Sequence, residues 1–135
     1  RRVDPETGQV LADLPSPAGE DTSGVAYHAG SLWVGSYRAK KLYKLDAKTG
    51  QVKKTLESNR LVTGVTFRGD DLWHGAVQRE PVVDTELRRL DKESGAVETV
   101  RALPEGVFVT GMGADDDGRI WCGDPGEGKL RVVEV

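Results

Sequence analysis

The sequence has 135 residues, of which 19 are basic and 22 acidic, and its formal net charge is −3. This length suits a single domain, and the balanced, evenly mixed charges exclude the basic stripe of a nucleic-acid-binding protein, while the long apolar run of a membrane span is absent. The lone Cys122 excludes an internal disulfide and a cysteine-based zinc site, but it fits an oxidising or a reducing compartment and leaves the localisation open.

The chain begins with the end of one short strand and the whole of a second. Residues 2–10 contain Asp-Pro-Glu-Thr-Gly, which predicts a tight turn, because Asp4 can accept hydrogen bonds from backbone N–H groups and Gly8 can take a positive φ. The strand that follows this turn is expected at residues 9–13. It is a lone counterpart of a strand type that recurs later in the chain.

Residues 23–57 are predicted to form a unit of four short strands, A to D. Residues 42–45 alternate apolar and polar side chains, the period of a half-buried strand, and the segment from Asp46 repeats the tight turn of the chain's beginning. A Gly-Ser pair at 30–31 predicts a hairpin turn, which is followed by Leu-Trp-Val-Gly. We therefore expect strands at residues 23–28, 32–36, 41–46 and 51–57.

The same unit recurs twice further along the chain. Its marker is Leu/Ile-Trp-x-Gly, around Trp33, Trp73 and Trp121, and the acidic residues that end strand C are 42, 45 and 43 residues apart. The second unit spans residues 63–101, with strands expected at 63–68, 71–76, 85–90 and 96–101. The third, partial unit spans residues 109–134, with strands expected at 109–113, 119–122 and 129–134 but no strand D. Because the strand at 9–13 is of the missing type, the chain holds three repeats that are permuted by one strand.

Four strands in each repeat of 40 to 48 residues are typical of the blades of a β-propeller. The predicted fold is therefore all-β, with three four-stranded blades in a single half-propeller domain over residues 1–135. Propellers close with about four to eight blades, so three blades leave two apolar flanks in water. We expect two chains to pair into a six-bladed homodimeric ring, in which strand 9–13 of one chain completes the last blade of the other by a strand swap. The alternative is a piece of a longer, single-chain propeller.

Three segments of the repeat resemble known propeller families. Residues 24–35, 45–52 and 117–121, with their Leu/Ile-Trp and Leu-Asp-Ala-Lys-Thr-Gly-Gln-Val sequences, resemble repeats of the streptogramin B lyase-like propellers. They are also similar to blades of SMP-30/gluconolactonase-type and glutaminyl-cyclotransferase-type propellers. The resemblance implies either a metal-assisted lyase with histidine and acidic residues at the axial end, or a lactonase-type protein whose acidic and amide side chains bind a divalent ion. Neither set of site residues matches this sequence residue by residue, so none is carried over.

The connections from strand D to the next strand A, and from B to C, are expected on one side of the ring, around its axis, where ligands usually bind. We name this side the loop face. Residues 77–84 form the longest B–C connection and are the first functional candidate, against the alternative of a tolerated surface insertion. Hydroxyl groups that start the inner strands are expected to surround the axis. The candidate ligand-binding residues are Ser23, Tyr37, Arg38, Asn59, Arg60, Thr63, Gln78, Arg79 and Thr110.

His74 is the candidate catalytic residue, because an imidazole beside the loop face can act as a base or as a metal ligand. The alternative is a partly buried structural histidine, since the sequence supplies no partner for it. Glu80 and Asp124 are the candidate metal ligands, for Mg²⁺ or Ca²⁺. Cys122, at the repeat position of His74, is expected to fill the core, and His28 is expected at the surface of the opposite side.

The sequence favours a dimeric propeller that binds a small molecule or a peptide in its axial pocket, with or without catalysis. A divalent-metal-dependent lyase or lactonase-like enzyme and a scaffold that recruits a protein are the alternatives. Neither nucleic acid nor a membrane is expected as a partner. A phosphate-binding loop, a nucleophile elbow and a zinc-protease motif do not occur in the sequence, so hydrolase, nucleotide and zincin functions have no support.

Overall fold

The computed structural model describes residues 1–135 and consists of β-strands, one short 3₁₀ turn at Gly19–Asp21 and connecting loops. In chain order the strands are β1 (Arg2–Val3), β2 (Val10–Ala12), β3 (Thr22–His28), β4 (Ser31–Ser36), β5 (Lys41–Asp46), β6 (Val52–Glu57), β7 (Leu61–Arg68), β8 (Asp71–Gln78), β9 (Asp84–Leu90), β10 (Val97–Ala102), β11 (Met112–Ala114), β12 (Arg119–Asp124) and β13 (Lys129–Glu134). No helix of the chain has the length and apolar character that crossing a membrane requires.

The strands form four antiparallel sheets. Blade 1 is β3-β4-β5-β6 and blade 2 is β7-β8-β9-β10, and in each blade every strand pairs with its neighbour in the chain. Blade 3 is the three-stranded sheet β11-β12-β13, and β1 and β2 form a separate hairpin. The all-β propeller fold predicted from the repeat is confirmed, and the chain amounts to about half of a propeller.

The three blades share one register between their second and third strands. The equivalent pairs are Leu42 with Gly35, Leu87 with Gly75, and Leu130 with Gly123. Because side chains alternate between the two faces of a strand, equal register places equal repeat positions on the same face of every blade. The environments of equivalent residues can therefore be compared directly from blade to blade.

The hydrophobic cores lie between the blades. Trp33 of blade 1 packs with Leu72 of blade 2 in the first core. Trp73 of blade 2 packs with Ile120 and Cys122 of blade 3 in the second core, where Cys122 is buried. Each blade thus buries one face against the next, and a single repeat cannot build a core alone.

The inner strands of neighbouring blades meet through glycine. A Cβ atom on Gly24 would lie 2.7 Å from the backbone nitrogen of Val65, and a Cβ atom on Gly64 would lie 2.6 Å from Cγ of Met112. Both distances are shorter than real Cβ contacts, so a larger residue would push the blades apart. The repeated Ser/Thr-Gly sequence therefore permits the close packing of blades around the axis.

The turns between the third and fourth strands are built by aspartate. Oδ1 of Asp46 accepts hydrogen bonds from the backbone N–H groups of Thr49 at 2.9 Å and Lys48 at 2.8 Å. These bonds stabilise the carboxylate and lower the pKa of Asp46 to about 2. Asp4 and Asp91 accept the same pair of backbone bonds in their own turns. The turn of the hairpin at the start of the chain therefore has the same geometry as the turn between the third and fourth strands of a blade.

The connection between β8 and β9 is shorter than the sequence suggested. We expected a long loop over residues 77–84, but β8 continues to Gln78, which pairs with Asp84 at the start of β9. The connection is therefore residues 79–83. The additional residues lengthen the two strands because Val77 is completely buried and its backbone stays in the ladder.

His28 lies at the hairpin turn, as the sequence predicted, and its side chain is 24% exposed because blade 2 covers part of it. Its ring stacks on Phe67 of blade 2 with 4.1 Å between the ring centres, and its Nε2 lies 3.1 Å from Oδ1 of Asp70. The sequence did not reveal these contacts, because they join the hairpin turn of blade 1 to the equivalent part of blade 2.

Candidate functional site

The loop face brings one side chain from each of three connections into a cluster. Tyr37 follows β4, Arg79 follows β8, and Phe108 lies between β10 and β11. Nη1 of Arg79 donates a hydrogen bond to Oη of Tyr37 at 3.4 Å, and the guanidinium carbon lies 5.5 Å from the centre of the Phe108 ring. Attraction between the cation and the ring stabilises this arrangement. We name these three residues the aromatic–arginine cluster.

The cluster carries a positive charge that no carboxylate of the chain neutralises. Arg79 and Arg38 are exposed and neither forms a salt bridge, although the charge of Arg38 contributes to the lowered pKa of Asp21. A guanidinium group offers several N–H donors in a planar arrangement that matches a carboxylate. Chemically, the loop face can therefore receive an acidic group next to an apolar one.

Asp21 fixes the shape of the loop face, and sequence reasoning missed it. Its carboxylate accepts hydrogen bonds from Oγ of Ser36 at 2.6 Å and from the backbone N–H groups of Arg38 and Ala39 at 2.8 and 3.0 Å. These bonds, that of Ser36 foremost, hold the pKa of Asp21 below its usual value. The available signal was an acidic residue just before an inner strand combined with a hydroxyl at the end of the next strand.

A cleft of about 530 Å³ opens between blades 1 and 2, and Asn59 lines it. Oδ1 of Asn59 accepts a hydrogen bond from Nη1 of Arg88 at 2.6 Å, while Nε of Arg88 lies 2.7 Å from Glu86. Arg60 pairs with Glu86 at 3.3 Å and with Asp84 at 2.9 Å. Asn59 and Arg60 therefore tie the connection before β7 to strand β9, and they are not part of the aromatic–arginine cluster.

His74 lines the same cleft, and its side chain is only 1% exposed. Nδ1 lies 3.1 Å from the carbonyl oxygen of Gly75, which can only accept, so Nδ1 carries the proton and Nε2 is an acceptor. Burial lowers the pKa of His74 to about 4, against the hydrogen bond to Gly75 and with a smaller contribution from the charge of Arg88. The imidazole is therefore neutral near pH 7, and its catalytic role stays a prediction.

The hydroxyls expected around the axis lie against glycines of their own blades. A Cβ atom on Gly35 would lie 2.8 Å from Oγ of Ser23, and a Cβ atom on Gly75 would overlap Oγ1 of Thr63. The hydroxyl of Thr63 is buried without a hydrogen-bond partner, whereas Ser23 and Thr110 are exposed. The glycine that follows each tryptophan in the repeat thus makes room for a hydroxyl of the inner strand.

Glu80 and Asp124 do not join other metal-binding side chains. The chain has no group of three or more His, Cys, Asp or Glu residues that could hold a metal ion. Asp124 is buried and accepts hydrogen bonds from Nε of Arg131 at 2.8 Å and the backbone of Gly126 at 3.1 Å; the bond from Arg131 is the main reason for its lowered pKa. Gln78 donates to the backbone oxygen of Glu80 at 2.8 Å. The metal assignment stays a prediction.

The comparisons with known proteins agree with this architecture. No protein-family model matches the sequence, and no curated protein matches it. BamB from Moraxella catarrhalis has a similar structure, with a TM-score of 0.59 and 21% identity over 84% of this chain and 33% of BamB. The PQQ-bound aldose sugar dehydrogenase from Streptomyces coelicolor gives a TM-score of 0.61 with 17% identity over 90% of this chain and 42% of that protein.

A third similar structure is the WD40 β-propeller domain of Doa1, with a TM-score of 0.54 and 20% identity over 76% of this chain and 32% of that one. The chain thus spans between a third and about two fifths of the length of these structures. At such low identity the similarity concerns the fold alone. The chain is a β-propeller repeat protein, and its particular resemblance to streptogramin B lyase-like propellers is not confirmed.

Proposed function

We propose that two copies of the chain close a six-bladed ring and that the ring binds a small molecule or peptide with a carboxylate group at its loop face. The observation that carries this proposal is the aromatic–arginine cluster, in which Arg79 lies between Tyr37 and Phe108 without a carboxylate partner. A two-fold ring would present this cluster twice around its axis.

The chemistry of the cluster supports an acidic ligand with an apolar part. The rings of Tyr37 and Phe108 offer half-buried flat surfaces, and the guanidinium groups of Arg79 and Arg38 offer charge-assisted donors. Asp21 fixes the connection that carries Tyr37 and Arg38 before any ligand arrives. Such preorganisation lowers the entropic cost of binding.

Calorimetric titration with N-acetyl-phenylalanine, N-acetyl-leucine and the amide of each tests the proposal. We expect the acids to bind and the amides, which lack the charge, to bind at least tenfold more weakly. Arg79→Gln should weaken binding of the acids by about tenfold or more, since a hydrogen bond to a charged group contributes about 1.5–3 kcal/mol. Arg101→Gln is the matched control, because Arg101 is exposed on β10 and bonds only to the backbone of Val100.

Equal affinity for acids and amides, or an Arg79→Gln variant that binds like the wild type, would contradict this function. Thermal unfolding with Mg²⁺ or Ca²⁺ tests the alternative of a metal-dependent lyase or lactonase-like enzyme. An ion that binds only the folded ring raises its Tm, so a rise that Asp124→Asn abolishes would favour the enzyme.

A further inference from the structure

Repeat positions that are buried in blades 1 and 2 are exposed in blade 3. Trp33 and Trp73 are buried, whereas the equivalent Trp121 is 42% exposed. The leucines of the third strand differ even more, since Leu42 and Leu87 are completely buried and Leu130 is 79% exposed. The face of blade 3 that points away from blade 2, which we name its outer face, therefore has the side chains of an inter-blade core but no neighbouring blade.

Blade 1 has the complementary face, which is only partly open: Val34 and Leu45 on this face are buried, and Val25 is exposed. Val65 of blade 2 is covered by Gly24 of blade 1, while the equivalent Val25 of blade 1 is 60% exposed. At the other end, Gly64 touches blade 3, but a Cβ atom on the equivalent Gly111 would meet nothing within 4 Å. The open faces of blades 3 and 1 thus present the two halves of the contact that the chain makes twice internally.

The hairpin at the start of the chain has the register of a blade's last two strands. In blade 1 the partners are Leu45 with Val52 and Lys44 with Lys54; in the hairpin they are Val3 with Val10 and Arg2 with Ala12. Strand β2 therefore corresponds to a fourth strand, and β1 corresponds to the last two residues of a third strand. In blade 3 the third strand is β13. Its residues equivalent to Val3 and Arg2 of β1 are Val133 and Val132, respectively.

We propose that the ring assumed in the proposed function closes by strand exchange: β13 of a second copy displaces β1 and pairs with β2. The exchange would set Val133 of one copy opposite Val10 of the other and Val132 opposite Ala12. In the separate chain, β1 occupies the position that the second copy takes, so β1 restrains assembly. The inference rests on the dimer of the proposed function and adds how its interface forms.

The exchange lengthens the pairing and covers apolar surface. The β1–β2 ladder has only two paired positions, whereas β5–β6 has five, from Lys41 with Glu57 to Leu45 with Val52. In the same register, Leu130 would lie opposite Leu14. The equivalent residues in blade 1 are both buried in the first core.

The next pair adds charge complementarity. Asp13 of one copy would lie opposite Arg131 of the other, at the positions where blade 1 pairs Thr55 with Tyr43, and would join Asp124 and Glu127, which already pair with Arg131 within its own chain. Opposite charges at directly paired positions stabilise a sheet. In the separate chain, Asp13 lies 3.3 Å from Arg1, so removal of β1 also frees this carboxylate.

Cysteine pairs test the exchange directly. Ala12→Cys with Val132→Cys should form a disulfide between chains under mild oxidation and give a covalent dimer on non-reducing gels. Arg2→Cys with Ala12→Cys should form a disulfide within the chain that locks β1 on β2, so the oxidised protein should sediment as a monomer and the reduced protein as a dimer. Lys44→Cys with Lys54→Cys is the matched control, because this pair has the same register inside blade 1, and on oxidation it should form a disulfide within one chain whether the protein is a monomer or a dimer.

The outcomes separate the exchange from the dimer itself. A wild-type chain that sediments as a monomer at all concentrations overturns both the dimer and the exchange. A wild-type dimer that persists when the Arg2–Ala12 pair is oxidised, with no covalent dimer from the Ala12–Val132 pair, overturns the exchange and leaves the ring. The wild-type chain, whose single Cys122 is buried, controls for unspecific crosslinks.

Discussion

Trp73 and Trp121 occupy the same position in successive blades, and their surroundings are different. Trp73 lies in the core between blades 2 and 3, whereas Trp121 lies on the outer face of blade 3, where its Nε1 donates to Asp115 at 2.8 Å. The register of the two strands and the glycine two residues later are the same. Burial of the tryptophan is therefore a property of the contact between neighbouring blades, and the repeat alone does not provide it.

Truncating the two tryptophans should give the largest difference. We expect Trp73→Ala to reduce the free energy of unfolding by about 3–5 kcal/mol, because it leaves a cavity in a dry core. Trp121→Ala should cost about 1 kcal/mol, which is the loss of one exposed hydrogen bond and some surface contact. Urea unfolding followed by circular dichroism, at concentrations where the chain is monomeric, measures both values.

Trp33→Ala is the control for this comparison, since Trp33 is buried in the other internal core and should behave like Trp73. Similar losses for Trp73→Ala and Trp121→Ala would show that the outer face of blade 3 is covered in the separate chain.

His74 extends the comparison to the polar residues of the repeat. Val34 and Cys122 occupy its position in the other blades, and all three are buried. Burial lowers the pKa of His74 from 6.5 to about 4, so below pH 6.5 the unfolded chain binds a proton that the folded chain does not. The contribution of His74 to stability should therefore fall by ~3 kcal/mol as the pH decreases from about 6.5 to 4, and this contribution should level off below that range.

The measurement is the urea midpoint between pH 7 and pH 4 for the wild type and for His74→Val, which carries the residue of blade 1. The variant should lose this pH dependence. Carboxylates with lowered pKa values, among them Asp46, Asp115, Glu93 and Glu127, also lose stabilisation as the pH falls, but both proteins share this loss, so the difference between the two curves reports His74. Parallel curves for the two proteins would show that His74 is charged or solvated in the folded chain.

The sequence predicted the blades well because their rules are local. A tryptophan, a following glycine and an aspartate turn each act within a few residues, so the repeat is visible in one dimension. The positions of Asn59 and Arg60 were not predictable in this way. Their partners Arg88 and Glu86 lie on strand β9, where charged residues suggest a solvent-exposed face until a neighbouring connection covers them.

The sequence also did not show which of the loop-face candidates contact one another, because these contacts join different blades. Tyr37 and Arg79 meet through connections of two different blades, and Phe108 joins them from a third, although the sequence analysis did not include it among the candidates. The distances between such residues depend on how blades rotate relative to one another. That rotation is set by the inter-blade cores and not by any single repeat.

The glycines of the inner strands give the smallest expected difference between a blade that has a neighbour and one that does not. A Cβ atom on Gly64 would lie 2.6 Å from Met112 and 2.7 Å from the backbone oxygen of Thr110, so Gly64→Ala should cost about 1–3 kcal/mol by overpacking. Gly111→Ala should change the stability of the separate chain by less than about 0.5 kcal/mol, because nothing lies within 4 Å.

The same Gly111 position becomes informative once chains associate. If blade 3 of one copy packs on blade 1 of another as blade 1 packs on blade 2, Gly111 will lie against Val25 of the second copy. Gly111→Leu should then weaken dimerisation by at least tenfold in sedimentation equilibrium, while the stability of the monomer is retained. Ala102→Leu, a small-to-large change at an exposed position of blade 2, which lies at neither seam of the ring, should leave dimerisation unchanged. Equal effects of the two substitutions would show that the inner strand of blade 3 is not the contact, because only Gly111 corresponds to the close approaches at Gly24 and Gly64.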